Sequence, residues 1–393
     1  MAIDFTLEDD VVAYRDRIVA FVAEELIPLE QDTFRTGLTD DLRRDIQTKA
    51  RARGLWAPQA AGEYGGGGYD YLQAATLLEA AGYSLLGPLA LNCHAPDEGN
   101  IHLLTAVATP EQKERYLRPL IGGEWRSCFA MTEPPPGAGS DPAALQTTAT
   151  RTDGGWVIAG EKTLITGADG AGFSIVMART GDEAGAATMF LVDADNPGWV
   201  VTDHVRTIDS VAVGGHCRVL LDDVAVADDA VLGDVGRAFA NAQVRLVPAR
   251  LTHCMRWLGA AQRAHDIALD RANNRSLFGE PLVHHGMAQQ LIADNEIDLA
   301  AARALLWHAT WQYTTGAKGT EQSSRAKVFV SEATFRIVDR AVQLAGGMGT
   351  TDELVIGRIF ADIRAFRIYD GASEVHRMSI AKRAARRMAE QQH

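Results

Sequence analysis

The chain has 393 residues, 51 of them acidic against 38 lysines and arginines, giving a formal charge of −13. A hydrophobic share of 47% and a charged share of 23% are those of a folded globular protein and exclude wholesale disorder. The acidity argues against a nucleic-acid partner, because no basic stripe recruits phosphates.

The length allows two to three domains around a sizeable core. The 37 glycines cluster rather than repeat, which sets aside collagen-like and low-complexity readings. Cys93, Cys128, Cys217 and Cys254 are scattered without metal-type spacing, as expected of free thiols in a reducing compartment. The opening MAIDFTLEDDVVAYRDR carries acids where a secretory peptide needs bases. No apolar stretch approaches the roughly 18 residues of a membrane span. The expectation is a cytoplasmic protein with no membrane span.

Residues 1–122 read as helical. Ile18, Phe21, Val22 and Leu26 recur at helical spacing. Thr109-Pro110-Glu111-Gln112 predicts a helix start, with Thr109 as cap, Pro110 first and Gln112 bonding back, and the helix should stop near Gly122-Gly123. Gly65–Gly68, taken alone, reads as a flexible turn. Residues 123–232 change character: Asp153-Gly154-Gly155 marks a hairpin, and WVIAGEKTLIT, FSIVMA, ATMFLVDA, GWVVTDHV and HCRVLLDDVAV read as short strands of a small barrel or sandwich. From 233 to 393 the helical period returns, with Phe335, Val338, Val342 and Ala345 stepping by three and four and Pro248 marking a first turn or a kink. The order is α, β, α.

Four tracts concentrate residues suited to chemistry. In CFAMTEPPPGAGSD (128–141) three prolines and two glycines exclude helix and central strand, and Thr132 and Ser140 add hydroxyls. A rigid surface loop explains that tract equally well, and the missing third glycine weakens a dinucleotide reading. Gln343-Leu-Ala-Gly346-Gly347-Met-Gly349 ends a long helix with more glycine than one cap needs. Arg275, before Phe278-Gly279, taken alone complements a helix dipole. Tyr369-Asp370-Gly371 puts a carboxylate among arginines and aromatics, which suits a base, a cap or an ion pair.

Taken in order, GLWAPQAAGEYGGGGYD, CFAMTEPPPGAGSD, GEKTLITGA, RSLFGEPL, AVQLAGGMG and IYDGASEVHR make the chain resemble the acyl-CoA dehydrogenase family over essentially its whole length. The resemblance implies an α+β, mainly α fold: an N-terminal helical domain (1–122), a middle β-barrel (123–232) and a C-terminal four-helix bundle (233–393). It implies FAD, with Met131, Thr132, Ser140, Leu164, Thr166, Arg275, Phe278, His285, Gln343, Gly346, Gly347 and Ser373 at the cofactor. Arg275, Phe278, Gln343, Gly346 and Gly347 would reach the FAD of a neighbouring subunit, hence a homo-oligomer, as a dimer of dimers. Ser140, Arg250 and Gly371 would meet the acyl-CoA, and Asp370 would be the catalytic base.

The implied reaction is α,β-dehydrogenation of an acyl-CoA thioester to the trans-2-enoyl-CoA, as in fatty-acid β-oxidation, with electrons passing to an electron-transfer flavoprotein. Removal from water should raise the Asp370 pKa into a useful range. The chain departs from the family in three places: Asp370 stands where Glu is usual, Pro135-Pro136 lengthens the TEPGAGSD-type loop, and Gly286 follows Val283-His284-His285. Ala249 excludes the base's alternative position. The motif DG-x-x-EVHR with Ala95-Pro96-Asp97 looks like the dehydrogenase module that some eukaryotes fuse to a phosphotransferase-like domain. The alternatives are a nitroalkane oxidase-like flavin oxidase, whose base is also an aspartate, and a non-catalytic protein keeping only the fold.

Overall fold

In the computed structural model, which describes residues 4–181, 186–209 and 212–391, the opening segment forms α1 (Asp9–Phe21), α2 (Asp40–Ala52), α3 (Tyr71–Gly82) and α4 (Asp97–Val107), with shorter helical pieces between. Val11, Tyr14, Ile18 and Phe21 step by three and four, so one face of α1 is buried, and Val22 and Leu26 continue it through a wider turn. Asp70 starts α3 with a reciprocal capping box to Gln73. The expected box at Thr109 and Gln112 is present, and that helix stops at Ile121 before Gly122 and Gly123. The Gly65–Gly68 turn is packed rather than loose. A Cβ at Gly66 would stand 2.3 Å from the Ala60 carbonyl oxygen, and Gly67 and Gly68 donate to Ala57 and Ala60.

The middle segment is one sheet: β1 (Ser127–Ala130), β2 (Thr148–Thr152), β3 (Gly155–Thr166), β4 (Phe173–Arg179), β5 (Ala187–Asp193), β6 (Trp199–His204), β7 (His216–Ala227) and β8 (Val231–Leu232). Its order is β6-β7-β3-β2-β4-β5-β8, with β1 parallel to β4. Asp153-Gly154 closes the β2–β3 hairpin, as its turn chemistry predicts. Both faces of the central strands are covered, which explains their unbroken apolar runs. Phe173, Ile175 and Met177 join one core with α4, while Val176 and Ala178 join another with Phe190 and Val192.

The last segment contains α5 (Ala238–Asn274), α6 (Gly286–Thr314), α7 (Thr320–Ala345), α8 (Val355–Arg364) and α9 (Ser373–Glu390). Pro248 lies inside α5, and the helix continues through it, so the first-turn reading is corrected. α5 packs against α7, α3 and α4. Glycine permits the tightest of these crossings: a Cβ at Gly82 would stand 2.1 Å from Arg256 O, and one at Gly259 would stand 2.0 Å from Glu79 O. This contact fixes the Arg256 turn of α5 against the N-terminal helices. All four cysteines are free and buried. Among the described residues, no helix is long and apolar enough to cross a membrane.

Candidate active site

The turn between α8 and α9 puts Asp370 in the left-handed region, with φ +52°, followed by Gly371 at φ +98°. For a residue with a Cβ that conformation costs on the order of 1–3 kcal/mol, so surrounding contacts must hold it. Arg250 Nε, from α5, donates to the Asp370 carbonyl at 3.0 Å, and His376 Nε2 donates to it at 3.2 Å. Lys327 Nζ, from α7, donates to the Gly371 carbonyl at 2.7 Å. Burial brings Lys327 down to about 8 and His376 down to about 4. Three helices therefore clamp two consecutive carbonyls, and the Asp370 side chain is fixed relative to α5.

That side chain meets a chain of buried groups that the sequence motifs do not contain. His253 Nε2 lies 3.2 Å from Asp370 Oδ2, Arg256 Nη2 lies 3.1 Å from His253 Nδ1, and Arg256 Nη1 lies 3.0 Å from Glu98 Oε2. Thr252 donates to the other Glu98 oxygen at 2.7 Å. A guanidinium only donates, so His253 Nδ1 accepts, the ring proton sits on Nε2, and it points at Asp370. Burial pushes the Asp370 carboxyl up, but the His253 hydrogen bond and the charges of Arg245 and Arg250 outweigh it. The carboxyl is held well below the ordinary range. This corrects the expectation that withdrawal from water decides its pKa: the counter-charges win. Burial and the Arg256 charge lower the His253 pKa, consistent with the neutral ring. Arg245, one turn before Ala249, donates to Asn100 at 2.8 Å and stacks 4.3 Å above the Phe129 ring of β1, joining α5 to the sheet.

The sheet carries the next group of expected residues. Met131 and Thr132 follow β1 and are half-buried, and Thr163 N donates to the Thr132 carbonyl at 3.0 Å. Leu164 sits at an irregularity in the β3–β7 pairing, with φ +57° and half its surface exposed. Thr166 ends β3, and its hydroxyl lies 2.9 Å from His216 Nδ1. His216 Nε2 in turn lies 3.0 Å from Asp209 Oδ2. Asp209 is near enough to Tyr369 for its charge to join burial in raising that phenol's pKa. Ser140 is exposed on the loop after Pro134–Pro136. The base of that loop is pinned from within: Glu133 accepts from Ala138 N, Gln146 N, Thr147 N and Lys162 Nζ at 3.1, 2.6, 2.9 and 2.9 Å.

Most of the remaining predicted residues form a second group where the end of α5 meets the end of α7. Arg271 Nε donates to Ala345 O at 3.0 Å, joining the end of α5 to the end of α7. Arg275, Gln343, Gly346 and Gly347 are exposed there. Gly346 caps α7 with φ +64°, which satisfies the simpler reading of that glycine. Phe278 is 99% exposed with φ +52°, and His285 holds its turn through a 3.0 Å bond to Leu277 O and an edge contact on the ring. Ser373 is buried at the start of α9, beside Glu332. The structure thus brings Arg250, Asp370 and Gly371 together at the α8–α9 turn, and sets Met131 and Thr132 beside the strand that carries Leu164 and Thr166. It leaves Arg275, Phe278, Gln343, Gly346 and Gly347 on an outer surface.

Three family models match in succession: the N-terminal domain of acyl-CoA dehydrogenase over residues 8–124, the middle domain over 128–224 and the C-terminal domain over 236–385. A Mycobacterium tuberculosis relative named as an acyl-CoA dehydrogenase is 36% identical, covering 96% of each chain. The chain belongs to the acyl-CoA dehydrogenase family. The (R)-benzylsuccinyl-CoA dehydrogenase of Thauera aromatica is 33% identical over 97% of this chain and 96% of its own. The solved butyryl-CoA dehydrogenase of Megasphaera elsdenii superposes with a TM-score of 0.87 at 26% identity, covering 98% of this chain and all of that one.

This acyl-CoA dehydrogenase is an oxidoreductase with FAD as cofactor. The residues present fit that group. The half-exposed Leu164 and half-buried Met131 offer apolar surface to a planar ring, and Thr166 offers a hydroxyl. The open glycines 346 and 347, where a Cβ would meet nothing within 4 Å, leave backbone approachable by a phosphate. Glu98, His253, Arg256, His216 and Asp209 escaped sequence reasoning. His253 and Arg256 carry a faint signal, being among several polar residues, Arg245, Arg250 and Thr252 included, that α5 buries.

Proposed function

We propose that this chain dehydrogenates an acyl-CoA thioester between its α and β carbons, giving the trans-2-enoyl-CoA, with Asp370 as base and an electron-transfer flavoprotein as acceptor. The reading rests on the Asp370 carboxylate: Oδ2 is taken by His253, while Oδ1 has no partner among the described residues. Oδ1 is therefore available to take the α-proton. FAD, when bound, supplies the acceptor for the β-hydrogen, which leaves as hydride.

An α C–H beside a thioester is a poor acid, so negative charge on the thioester oxygen needs donors as the proton departs. The Asp370 N–H makes no backbone hydrogen bond among the described residues and is one such donor. Substrate entry displaces water from Oδ1 and adds to the burial that already favours the protonated acid, so Asp370 gains basicity when its proton is within reach. His253 cannot relay that proton, because its Nδ1 is filled by Arg256. Asp370 therefore keeps the proton until product leaves.

The exposed group of Arg275, Phe278, Gln343, Gly346 and Gly347 supports a homo-oligomer, a dimer of dimers, in which this surface completes the FAD site of a neighbour. Ser140 and Arg250 are assigned to the CoA ester on the same reading. The test is anaerobic. Acyl-CoAs of graded length should bleach the bound flavin in the wild type, and Asp370→Asn should retain FAD without being bleached. Failure of every acyl-CoA to bleach the flavin would overturn the reading, and rapid peroxide formation without an acceptor protein would favour the flavin oxidase.

A further inference from the structure

The Thr166 hydroxyl is the start of a hydrogen-bonded line that leads to the protein surface. It passes to His216 Nδ1 at 2.9 Å and from His216 Nε2 to Asp209 Oδ2 at 3.0 Å. Register fixes the first step, since Thr166 and His216 are paired across β3 and β7. The His216 and Asp209 side chains are each 16% exposed. Both line a surface recess with His204, Val205, Thr207 and Gly215. An ionised carboxylate only accepts, so His216 carries its proton on Nε2 and Nδ1 accepts from Thr166. The Thr166 oxygen then keeps its lone pairs free to accept. The charged and titratable groups facing this line are Asp209 itself, the exposed His204–Asp169 pair at 3.2 Å, Arg126 on the Gly167 carbonyl, and Tyr369 from the bundle.

We infer that Thr166, His216 and Asp209 form a proton exit from the cofactor site to solvent, used when the reduced cofactor is reoxidised. The inference rests on the dehydrogenase reading above. Restoring the oxidised ring removes two electrons and one proton. The electrons go one at a time to an external acceptor, a second flavoprotein in the cell or ferrocenium in the assay. With the reduced cofactor bound, the proton released from its ring N–H would pass to the Thr166 oxygen, and the Thr166 proton would in turn pass to His216 Nδ1. The imidazolium is stabilised by the Asp209 carboxylate and loses a proton to water in the recess. Asp370 takes no part, since its proton comes from the substrate α carbon. The two protons of one turnover therefore leave by separate routes. His216 and Asp209 are positioning residues on this account, acting through Thr166.

The experiment separates the two half-reactions in holoenzyme of His216→Ala and Asp209→Asn. Anaerobic bleaching by acyl-CoA should stay within about threefold of wild type, whereas reoxidation of pre-reduced protein by ferrocenium should slow by about tenfold or more. Added imidazole should restore much of the His216→Ala reoxidation rate, which a purely structural role would not allow. The flavin reduction potential, read at equilibrium with a dye, should lose the part of its pH dependence contributed by the imidazole. Unchanged reoxidation, or parallel slowing of both half-reactions without imidazole rescue, would overturn the exit. If no acyl-CoA bleaches the wild type, the dehydrogenase reading falls and the exit with it. Normal bleaching with unaffected reoxidation removes the exit alone.

Discussion

Glu133→Gln removes one charge from a pair in which the Lys162 side chain is 0% exposed and the Glu133 side chain is 2% exposed. Breaking a buried pair while leaving one charge behind costs roughly 3–5 kcal/mol, most of it the price of the orphaned ion. Lys162, brought down to about 8 by burial even with its partner, will then shed its proton more easily, so the loss should be greater at pH 6 than at pH 9. In the wild type, burial pushes Glu133 up, but Lys162 and the backbone donors of Gln146 and Thr147 prevail and bring it from 4.5 to about 2. A depressed carboxyl stabilises the fold above its unfolded pKa. That stability is lost as pH falls from 4.5 towards 2, and the glutamine variant should lack this slope. Denaturant unfolding at several pH values measures both effects. FAD retention should fall as well, because Glu133 pins the segment that carries Met131 and Thr132. The double variant Glu133→Gln/Lys162→Met leaves no buried charge and should recover most of the loss. A single-variant cost below about 1 kcal/mol, or additive costs in the double variant, would refute the reasoning.

His253→Leu removes the donor on Asp370 Oδ2. A hydrogen bond to a charged group is worth about 1.5–3 kcal/mol, so the acid limb of the flavin-bleaching rate should move up by about one to two pH units. His253→Gln, whose amide can still donate, should leave the limb near its wild-type position, and equal shifts in the two variants would contradict the tautomer assigned to His253. Arg275→Ala with Phe278→Ser should lower both the molecular mass in solution and FAD content while monomer helicity by circular dichroism stays unchanged. Full FAD occupancy in a smaller species would show that this surface does not serve a neighbour's cofactor.

The fold was legible because its determinants are local. The Asp153-Gly154 turn, the Thr109 capping box and the 3–4 spacing of α1 each act within a few residues. Of the two readings of Pro248, the first turn failed because tertiary packing of α5 on other helices carries the helix through a residue that would break it in isolation. The site was partly legible: Asp370 lies in a tract of unusual composition, and Arg250, Leu164 and Thr166 followed from the family resemblance. What surrounds them was not. Glu98 and Arg256 are 158 residues apart and Thr166 and His216 are 50 apart, and only folding makes them neighbours. For the same reason the Asp370 pKa was misjudged, since burial is foreseeable from an apolar context but the His253 bond and the Arg245 charge are not.

The central claim is that Asp370 Oδ1 takes a proton from the carbon next to the thioester. An acyl-CoA whose β carbon is quaternary, such as 3,3-dimethylbutyryl-CoA, can surrender that proton but has no β-hydrogen to lose. Its α-hydrogen exchange in D2O, followed by NMR, therefore isolates the base from the redox step. Exchange should be rapid with wild-type holoenzyme and fall to the uncatalysed rate with Asp370→Asn of equal flavin content. Undiminished exchange in the asparagine variant would mean that another group removes the proton.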